Sequence, residues 1–264
     1  MLYMILKFDK YEGAGNDFII LNNFDGLCSK LSEHQFREMC DRHNGIGADG
    51  IILLKPANNV DFEMEYYNSD GKLSSLCGNG ARCAVLYAYK YEIIGEKTKF
   101  RAIDGIHEAW LTSSEKVKIQ INEIKKILKH KESFVINTGS PHYVKIMDNI
   151  SDLNVKKRGS EIRYSKDFIP EGINVNFLQK RNDSNFLIRT YERGVEDETL
   201  ACGTGAVAAA IVMHNIGETS GNTNLEIDTL GGSLIVNFDF QNSVYKNIFL
   251  EGPARFVFSG TYKI

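Results

Sequence analysis

The chain has 264 residues, of which 43% are hydrophobic and 25% charged, with five cysteines and a formal net charge of −3 at neutral pH. This length suits one large domain or two of ordinary size, and the composition is that of a globular protein with a full hydrophobic core. The charge offers no basic surface for nucleic acid or an anionic membrane, and the chain shows neither a membrane-length apolar run nor a signal peptide, so a cytoplasmic location is expected.

The first half is predicted to begin with strands and one surface helix. The segments DFIILNNF, GIILLK and DFEMEYYN have the apolar and β-branched content of buried strands. Between the first two, Ser32 and Gln35 have the spacing of a capping box, and a later Asn-Gly pair marks a stop. A helix is therefore predicted over Glu33–His43.

A cysteine then precedes an apolar segment, and this arrangement occurs twice. Cys77 stands in LCGNGARCAVLYAY, and Cys202 stands in ACGTGAVAAAIVMH. Both segments are predicted to form helices that are apolar on nearly every side, so each must be buried all round. Gly217 is predicted to end the second helix, because glycine favours the left-handed conformation found there.

The cysteine turns belong to a longer internal repeat. GAGNDFIIL from Gly13 is similar to NTGSPHYVKI from Asn137, NGIGADGIILLK is similar to EGINVNFLQK, and the two cysteines are 125 residues apart. The repeat predicts an α/β (α+β) fold of two pseudo-symmetric domains. Each is expected to be a curved, mostly antiparallel sheet wrapped around a central buried helix.

The repeat also places the domain boundaries. The predicted domains are residues 1–125 and 126–252, and the lysine-rich segment Lys125–Lys131 between the copies is the best candidate for a linker. The last residues, 253–264, are expected to return to the first domain, since duplicated folds are often closed in this way.

The position of each cysteine indicates reactivity. A cysteine at a helix N-terminus lies beside unpaired backbone N–H groups and the positive end of the helix dipole, and both favour the thiolate. The flanking glycines allow backbone amides to approach a carboxylate closely. The residues predicted to form this anion site are Gly78, Asn79, Gly203 and Thr204.

The repeat also offers a reason for two cysteines. Pseudo-twofold symmetry is expected to place Cys77 and Cys202 on opposite faces of one bound amino acid. A thiolate on one face removes the α-proton, and a thiol on the other face returns one, which inverts the stereocentre. The other cysteines have no counterpart in the repeat and are predicted to be core residues; they are Cys28, Cys40 and Cys83.

Two other classes of protein remain open on these residues. One is a non-catalytic amino-acid-binding protein, and the other is a redox sensor in which Cys77 and Cys202 form a disulfide. Neither exchanges an α-proton with solvent, so exchange separates both from a racemase. No metal site is predicted, because the cysteines form no C-x-x-C pair and the histidines form no H-E-x-x-H motif.

Longer motifs follow in order over nearly the whole chain. They are GAGNDFII, YYNSDGKLSSLCGNGARC, GSPHYV, GINVNF, YERGVEDETLACGTGA and LEGPARFVFSG. In these motifs the chain resembles the diaminopimelate epimerase family. The resemblance implies a pyridoxal-phosphate-independent isomerase, working without a cofactor, that interconverts LL- and meso-diaminopimelate for lysine and peptidoglycan synthesis. It also implies a homodimer.

The resemblance implies roles for individual residues. Cys77 and Cys202 match the catalytic pair, while His142 and Glu192 match residues that tune the pKa values of those cysteines. Glu192 and Arg193 match the pair that holds the distal amino-acid end of the substrate. The positions that match substrate-binding residues are Asn16, Asn68, Gly78, Asn79, Asn174, Glu192, Arg193, Gly203 and Thr204.

Two positions depart from the family pattern. Ser140 stands where asparagine is common, so a hydroxyl replaces one substrate-binding amide, and Gly50 stands where a binding glutamine is common. Proline and hydroxyproline racemases are the nearest alternative with the same architecture. Their first turn typically reads Cys-Gly-His-Gly, whereas Asn79 stands here, and they lack the YERG motif.

Overall fold

The computed structural model describes residues 4–74 and 76–264. The chain divides into two compact units, the first made of Met1–Ile119 and Gly252–Ile264 and the second of Gln120–Glu251. The C-terminal segment therefore belongs to the first unit. The predicted division into domains of residues 1–125 and 126–252 stays a prediction.

The two units are built from similar helices and strands. The elements up to residue 121 are β1 (Ile5–Gly13), β2 (Asn16–Asn22), a 3-10 helix (Leu27–Lys30), α1 (Glu33–Cys40), β3 (Gly50–Lys55), β4 (Phe62–Asn68), α2 (Gly78–Lys90), β5 (Lys97–Ala102), β6 (Gly105–Ser113) and β7 (Lys116–Ile121). The later elements are β8 (Ile127–His130), β9 (Ser133–Asn137), β10 (Pro141–Ile146), α3 (Val155–Arg163), β11 (Asn174–Lys180), β12 (Asn185–Glu192), β13 (Asp197–Thr199), α4 (Gly203–Asn215), β14 (Asn224–Thr229), β15 (Gly232–Gln241), β16 (Val244–Pro253) and β17 (Arg255–Lys263).

The first unit contains a mixed sheet whose neighbouring strands run in the order β17, β1, β2, β3, β4, β5, β6, β7. The pairs β2–β3 and β4–β5 are parallel, and the others are antiparallel. Helix α2 packs against β1, β2, β3, β4, β6 and β17. Strands from across the sheet thus surround one helix.

The second unit repeats this topology in the order β8, β9, β10, β11, β12, β14, β15, β16. Its parallel pairs, β10–β11 and β12–β14, correspond to those of the first unit. Helix α4 packs against β9, β10, β11, β12, β14 and β15. In each central helix 11 of 13 residues are buried. The predicted fold class, a mostly antiparallel sheet around a buried helix in each half, is confirmed.

The repeat accounts for the C-terminal strand and corrects one prediction. Strand β17 pairs with β1 in the first unit, as β8 pairs with β9 in the second. The segment Lys125–Lys131, predicted to be a linker, contains β8, so that prediction is wrong. Among the described residues β8 pairs only with β9, and charged residues such as Lys129 on an edge strand disfavour further strand pairing. The charged residues of this edge strand were mistaken for those of a linker.

Helix α1 begins as predicted and ends earlier. The Ser32 hydroxyl accepts from the Gln35 N–H, and the Gln35 side chain accepts from the Ser32 N–H, so the capping box is confirmed. The helix ends at Cys40 rather than His43, because Asp41 is extended and its carboxylate accepts from the backbone N–H groups of His43 and Asn44. This local turn competes with the helix.

The central helices end in the same way. Beyond the last turn of each, two backbone N–H groups donate back to helix carbonyls in a Schellman motif. The left-handed residue is Gly217 (φ 83°) after α4, as predicted, and Glu92 (φ 57°) after α2. Within the described residues, no helix is long and apolar enough to cross a membrane.

Candidate active site

Cys77 is the N-cap residue of α2. Its backbone is extended (φ −95°, ψ 112°), and its sulfur accepts a hydrogen bond from the Gly80 N–H at 3.4 Å. The side chain is half-buried. The sulfur therefore lies at the end of a helix where N–H groups and the helix dipole favour negative charge.

A fully buried arginine supports this turn. Arg82 donates to the Gly78 carbonyl at 3.3 Å, to the Asn79 side-chain oxygen at 2.8 Å and to the Pro253 carbonyl at 3.1 Å. Burial lowers the pKa of the Arg82 guanidinium. This side chain ties the cysteine turn to the returning C-terminal segment. Sequence analysis missed it, although an arginine inside an apolar helix is itself a signal of a buried polar contact.

Asn79 and Asn16 lie in one hydrogen-bonded chain. The Asn79 amide donates to the Asn16 oxygen at 2.6 Å, and the Asn16 amide donates to the Asp49 carboxylate at 3.0 Å. Arg42 pairs with the other oxygen of Asp49 and with Asp17 at 2.7 Å. These ionic contacts fix the orientation of the two asparagine side chains beside the cysteine turn.

Asn68 and Gly50 lie opposite each other where β4 and β3 pair. The Asn68 carbonyl accepts from the Gly71 N–H at 2.9 Å, which closes the turn after β4. A Cβ added at Gly50 would lie 2.5 Å from the Tyr66 ring and 2.5 Å from the Tyr67 carbonyl oxygen. The Tyr66 ring thus fills the space that a longer residue at position 50 would need.

Cys202 is the N-cap residue of α4 and repeats the position of Cys77. Its backbone is extended (φ −122°, ψ 109°), and its side chain is buried. The sulfur lies 3.5 Å from the Thr204 hydroxyl, which lies 2.9 Å from Nε2 of His142. The predicted residues Cys202, Thr204 and His142 are therefore connected directly.

His142 is fully buried. Burial, together with the positive charge of Arg193, lowers the pKa of the His142 imidazole to about 3. Its Nδ1 atom lies 3.1 Å from the side-chain nitrogen of Asn176, which also donates to the Tyr143 carbonyl at 3.0 Å. Thr190 donates to the Asn176 oxygen at 3.0 Å. The imidazole is neutral at physiological pH and hydrogen-bonded through both nitrogens.

Sequence analysis missed Asn176. It lies two residues after Asn174 on β11, where the alternating side chains point to the same face. A fully buried asparagine side chain requires hydrogen-bond partners, and here these are His142, Tyr143 and Thr190. The polar residue at this strand position was the available signal.

Asn174 and Arg193 form a second cluster in this unit. The Asn174 amide donates to the Ser140 hydroxyl at 2.9 Å and to the Pro141 carbonyl at 3.1 Å, and its oxygen accepts from the Arg193 N–H at 2.8 Å. The Arg193 guanidinium donates to the Glu171 carbonyl at 3.2 Å. Ser140, at a position that departs from the family pattern, thus holds Asn174 in place.

Glu192 ends β12 beside this cluster. Its carboxylate accepts from the Thr199 hydroxyl at 2.8 Å, across the β12–β13 pair.

Of the predicted residues of the first unit, Cys77, Gly78, Asn79 and Asn16 form one connected group, and Asn68 lies at a separate strand end.

The other cysteines lie in the core, as predicted. Cys28, Cys40 and Cys83 are at most 4% exposed. Burial raises the pKa of the Cys28 thiol to about 11 and that of Cys40 to about 12, and it raises the pKa of Cys83 further. These thiols stay protonated and inaccessible at physiological pH.

Comparison with known proteins decides the family. A family model described as diaminopimelate epimerase matches residues 8–127 and 134–257. The chain belongs to the diaminopimelate epimerase family. It is 48% identical over 256 residues to the diaminopimelate epimerase of Flavobacterium psychrophilum, covering 97% of this chain and 100% of that protein. The diaminopimelate epimerase of Chlorobaculum tepidum is 42% identical, over 95% of this chain and 98% of the relative.

Solved structures show the same fold in more distant proteins. A PhzF-family phenazine biosynthesis protein of Bacillus anthracis superposes with a TM-score of 0.71 at 14% identity, covering 99% of both chains. A hydroxyproline epimerase from Agrobacterium vitis superposes with a TM-score of 0.71 at 12% identity, covering 98% of this chain and 93% of the other. This chain thus shares its architecture with more distant proteins.

Proposed function

We propose that Cys77 and Cys202 carry out a two-base epimerisation of diaminopimelate, interconverting the LL and meso forms without a cofactor. Membership of the family gives the reaction and the substrate: the chain is an isomerase that acts on diaminopimelate. In each direction one cysteine, as thiolate, takes the α-proton. The other cysteine, as thiol, gives a proton to the opposite face of the α-carbon. The C–H bond broken on one face is thus replaced by a C–H bond on the other, which inverts the stereocentre.

The observation that carries this proposal is the matched pair of helix-capping cysteines. Each sulfur lies at the N-terminus of a buried helix and within hydrogen-bond distance of a donor, the Gly80 N–H at 3.4 Å or the Thr204 hydroxyl at 3.5 Å. Such contacts stabilise a thiolate. The N–H groups of these turns also suit the carboxylate beside the reacting carbon, which supports binding roles for Gly78, Asn79, Gly203 and Thr204.

Arg193 and Glu192 are proposed to hold the far end of the substrate. That end is a zwitterion, which needs a guanidinium for its carboxylate and an acceptor for its ammonium. Asn174 fixes the backbone of Arg193, and Thr199 fixes the carboxylate of Glu192. Asn16, Asn68 and Asn174 are proposed as further binding residues.

His142 is proposed to tune Cys202 as a neutral group. Since burial lowers its pKa to about 3, it does not carry the exchanged proton at physiological pH. Its contact with Thr204, which in turn contacts Cys202, supports this role. Glu192 is proposed to act on a cysteine pKa through its charge.

The test is proton NMR of LL-diaminopimelate in D₂O with reduced protein. Wild type is expected to form meso product and to introduce deuterium at the α-carbon. Cys77→Ala and Cys202→Ala are expected to lose epimerisation, while Cys28→Ala, which changes a buried core thiol, keeps it. Exchange with proline but not with diaminopimelate would show that proline, and not diaminopimelate, is the substrate. Full activity of either catalytic variant would refute the two-cysteine mechanism.

We further propose a cytoplasmic homodimer. Strand β17 pairs only with β1 among the described residues and exposes Phe256, Val257 and Phe258. Adjacent exposed apolar side chains on an edge strand are suited to a partner surface. Light scattering of the eluted protein should give twice the mass of the chain, and Val257→Glu should give the single-chain mass. A wild-type protein of single-chain mass would contradict this assembly.

A further inference from the structure

A chain of hydrogen bonds leads from the interior of the second unit to the Cys202 sulfur. It runs from Asn176 to Nδ1 of His142 at 3.1 Å, from Nε2 to the Thr204 hydroxyl at 2.9 Å, and from that oxygen to the sulfur at 3.5 Å. Apart from the sulfur, its members are an amide, a neutral imidazole and a hydroxyl, and all three residues are buried. In such a chain the direction of each bond is fixed by the donor at its inner end.

Asn176 is that donor. Its nitrogen donates to the Tyr143 carbonyl at 3.0 Å, and because a carbonyl can only accept, this contact sets the amide orientation independently of the histidine. Its oxygen lies 3.0 Å from the Thr190 hydroxyl, which can either donate or accept. A flipped amide would place the Asn176 side-chain oxygen against the Tyr143 carbonyl oxygen, where neither atom can donate. The Asn176 N–H therefore points at Nδ1 of His142, which must be the unprotonated nitrogen of the neutral ring.

The rest of the direction follows from this tautomer. With Nδ1 accepting, the proton of His142 is on Nε2, and Nε2–H donates to the Thr204 oxygen. The Thr204 proton is then free to point at the Cys202 sulfur. A hydroxyl that donates to sulfur stabilises the thiolate over the thiol.

Among its described residues, the first unit builds the same turn on apolar side chains. The strand register places Phe18 at the position of His142 and Ile52 at that of Asn176. Both apolar side chains lie beneath the first turn of α2, 3.4 Å and 3.1 Å from the place of a Cβ on Gly80. The fold thus forms a cysteine turn on an apolar support, and the polar chain under Cys202 is an addition to it.

We propose that Asn176 is a positioning residue for Cys202: by fixing the Nε2–H tautomer of His142, it directs the Thr204 hydroxyl to donate to the cysteine sulfur. This inference rests on the proposed role of Cys202 in the reaction. It makes the two cysteines chemically unequal, because Cys77 has a backbone N–H donor at its sulfur and Cys202 has a directed hydroxyl.

The test uses the free protein, so its result does not depend on the proposed function. Long-range proton–nitrogen NMR of the histidine rings, with His142 assigned by its loss in His142→Gln, reads the tautomer directly. The expected spectrum is that of an Nε2–H ring in wild type and an Nδ1–H ring in Asn176→Asp, whose carboxylate accepts from Nδ1. A wild-type Nδ1–H ring overturns the proposal even if the variants fail to fold.

The second readout is alkylation of Cys202 by iodoacetamide at pH 7.5, followed by peptide mass spectrometry with Cys77 as internal reference. Asn176→Asp is expected to slow Cys202 about tenfold, as for a pKa raised by about one unit, and to leave Cys77 within twofold. Thr204→Val should give the same loss, with no further loss in the double variant. The matched control, Thr190→Val, removes a contact of Asn176 away from the histidine and should change neither readout. An equal loss in Thr190→Val, or additive losses in the double variant, would overturn the proposal.

Discussion

His142 is expected to make the folded protein less stable in acid, because its ring is protonated in the unfolded chain while it stays neutral in the folded one. The imidazole is fully buried, and its folded-state pKa of about 3 lies well below the ordinary value near 6.5. Between these two values the unfolded chain binds a proton that the folded protein does not. The contribution of His142 to stability is therefore complete above about pH 6.5 and is lost as the pH falls toward 3.

The size of the effect follows from the shift. At pH 5 the unfolded histidine is protonated and the folded one is not, which costs about 1.4 kcal/mol for each unit below 6.5, or about 2 kcal/mol in all. At pH 7.5 the cost is close to zero. Wild type should thus lose about 2 kcal/mol more than a protein without this histidine when the pH is lowered from 7.5 to 5.

The assay is urea unfolding followed by circular dichroism at both pH values, for wild type, His142→Gln and His34→Gln. His34 is an exposed histidine on α1, so its replacement removes an imidazole without changing the core. His142→Gln should show the smaller pH dependence, and His34→Gln should follow wild type. Equal pH dependence in wild type and His142→Gln would refute a neutral, buried His142.

Two further predictions concern backbone positions. Glu92→Gly should raise the free energy of unfolding by about 1 kcal/mol, because glycine adopts the left-handed conformation of this position without strain. The matched change Gly217→Ala should lower the free energy of unfolding by about the same amount. Urea midpoints that move in the opposite directions would contradict this. Gly50→Ala should lower the free energy of unfolding by about 1–3 kcal/mol, since its Cβ would lie 2.5 Å from the Tyr67 carbonyl oxygen, and a wild-type midpoint would show that the strand adjusts freely.

The repeat made much of the fold predictable. The predicted strand GIILLK has the bounds of β3, because it is a short apolar run with clear ends. The end of α1 was not predictable from the Asn-Gly pair, since the Asp41 side chain ends the helix first. Strand β8 was not predicted because Lys129 within it and the lysines that flank it, Lys125, Lys126 and Lys131, give the segment a polar composition.

The candidate site was predictable where its chemistry is local. A cysteine between a strand end and an apolar helix predicts an N-cap sulfur, and both Cys77 and Cys202 occupy that position. Contacts between distant segments were not predictable. Asn176 reaches His142 through the pairing of β10 and β11, and Arg82 reaches Pro253 through the return of the C-terminus. Residue type alone did not reveal those partners.

The most direct test of two-base epimerisation is the location of deuterium in the first few per cent of reaction in D₂O. A base on one face returns its own proton to the substrate, whereas the acid on the other face delivers a deuteron taken from solvent. Early meso product should therefore carry deuterium at the inverted carbon, while recovered LL substrate remains protonated. Deuterium entering substrate and product at equal rates from the start would contradict separate roles for Cys77 and Cys202.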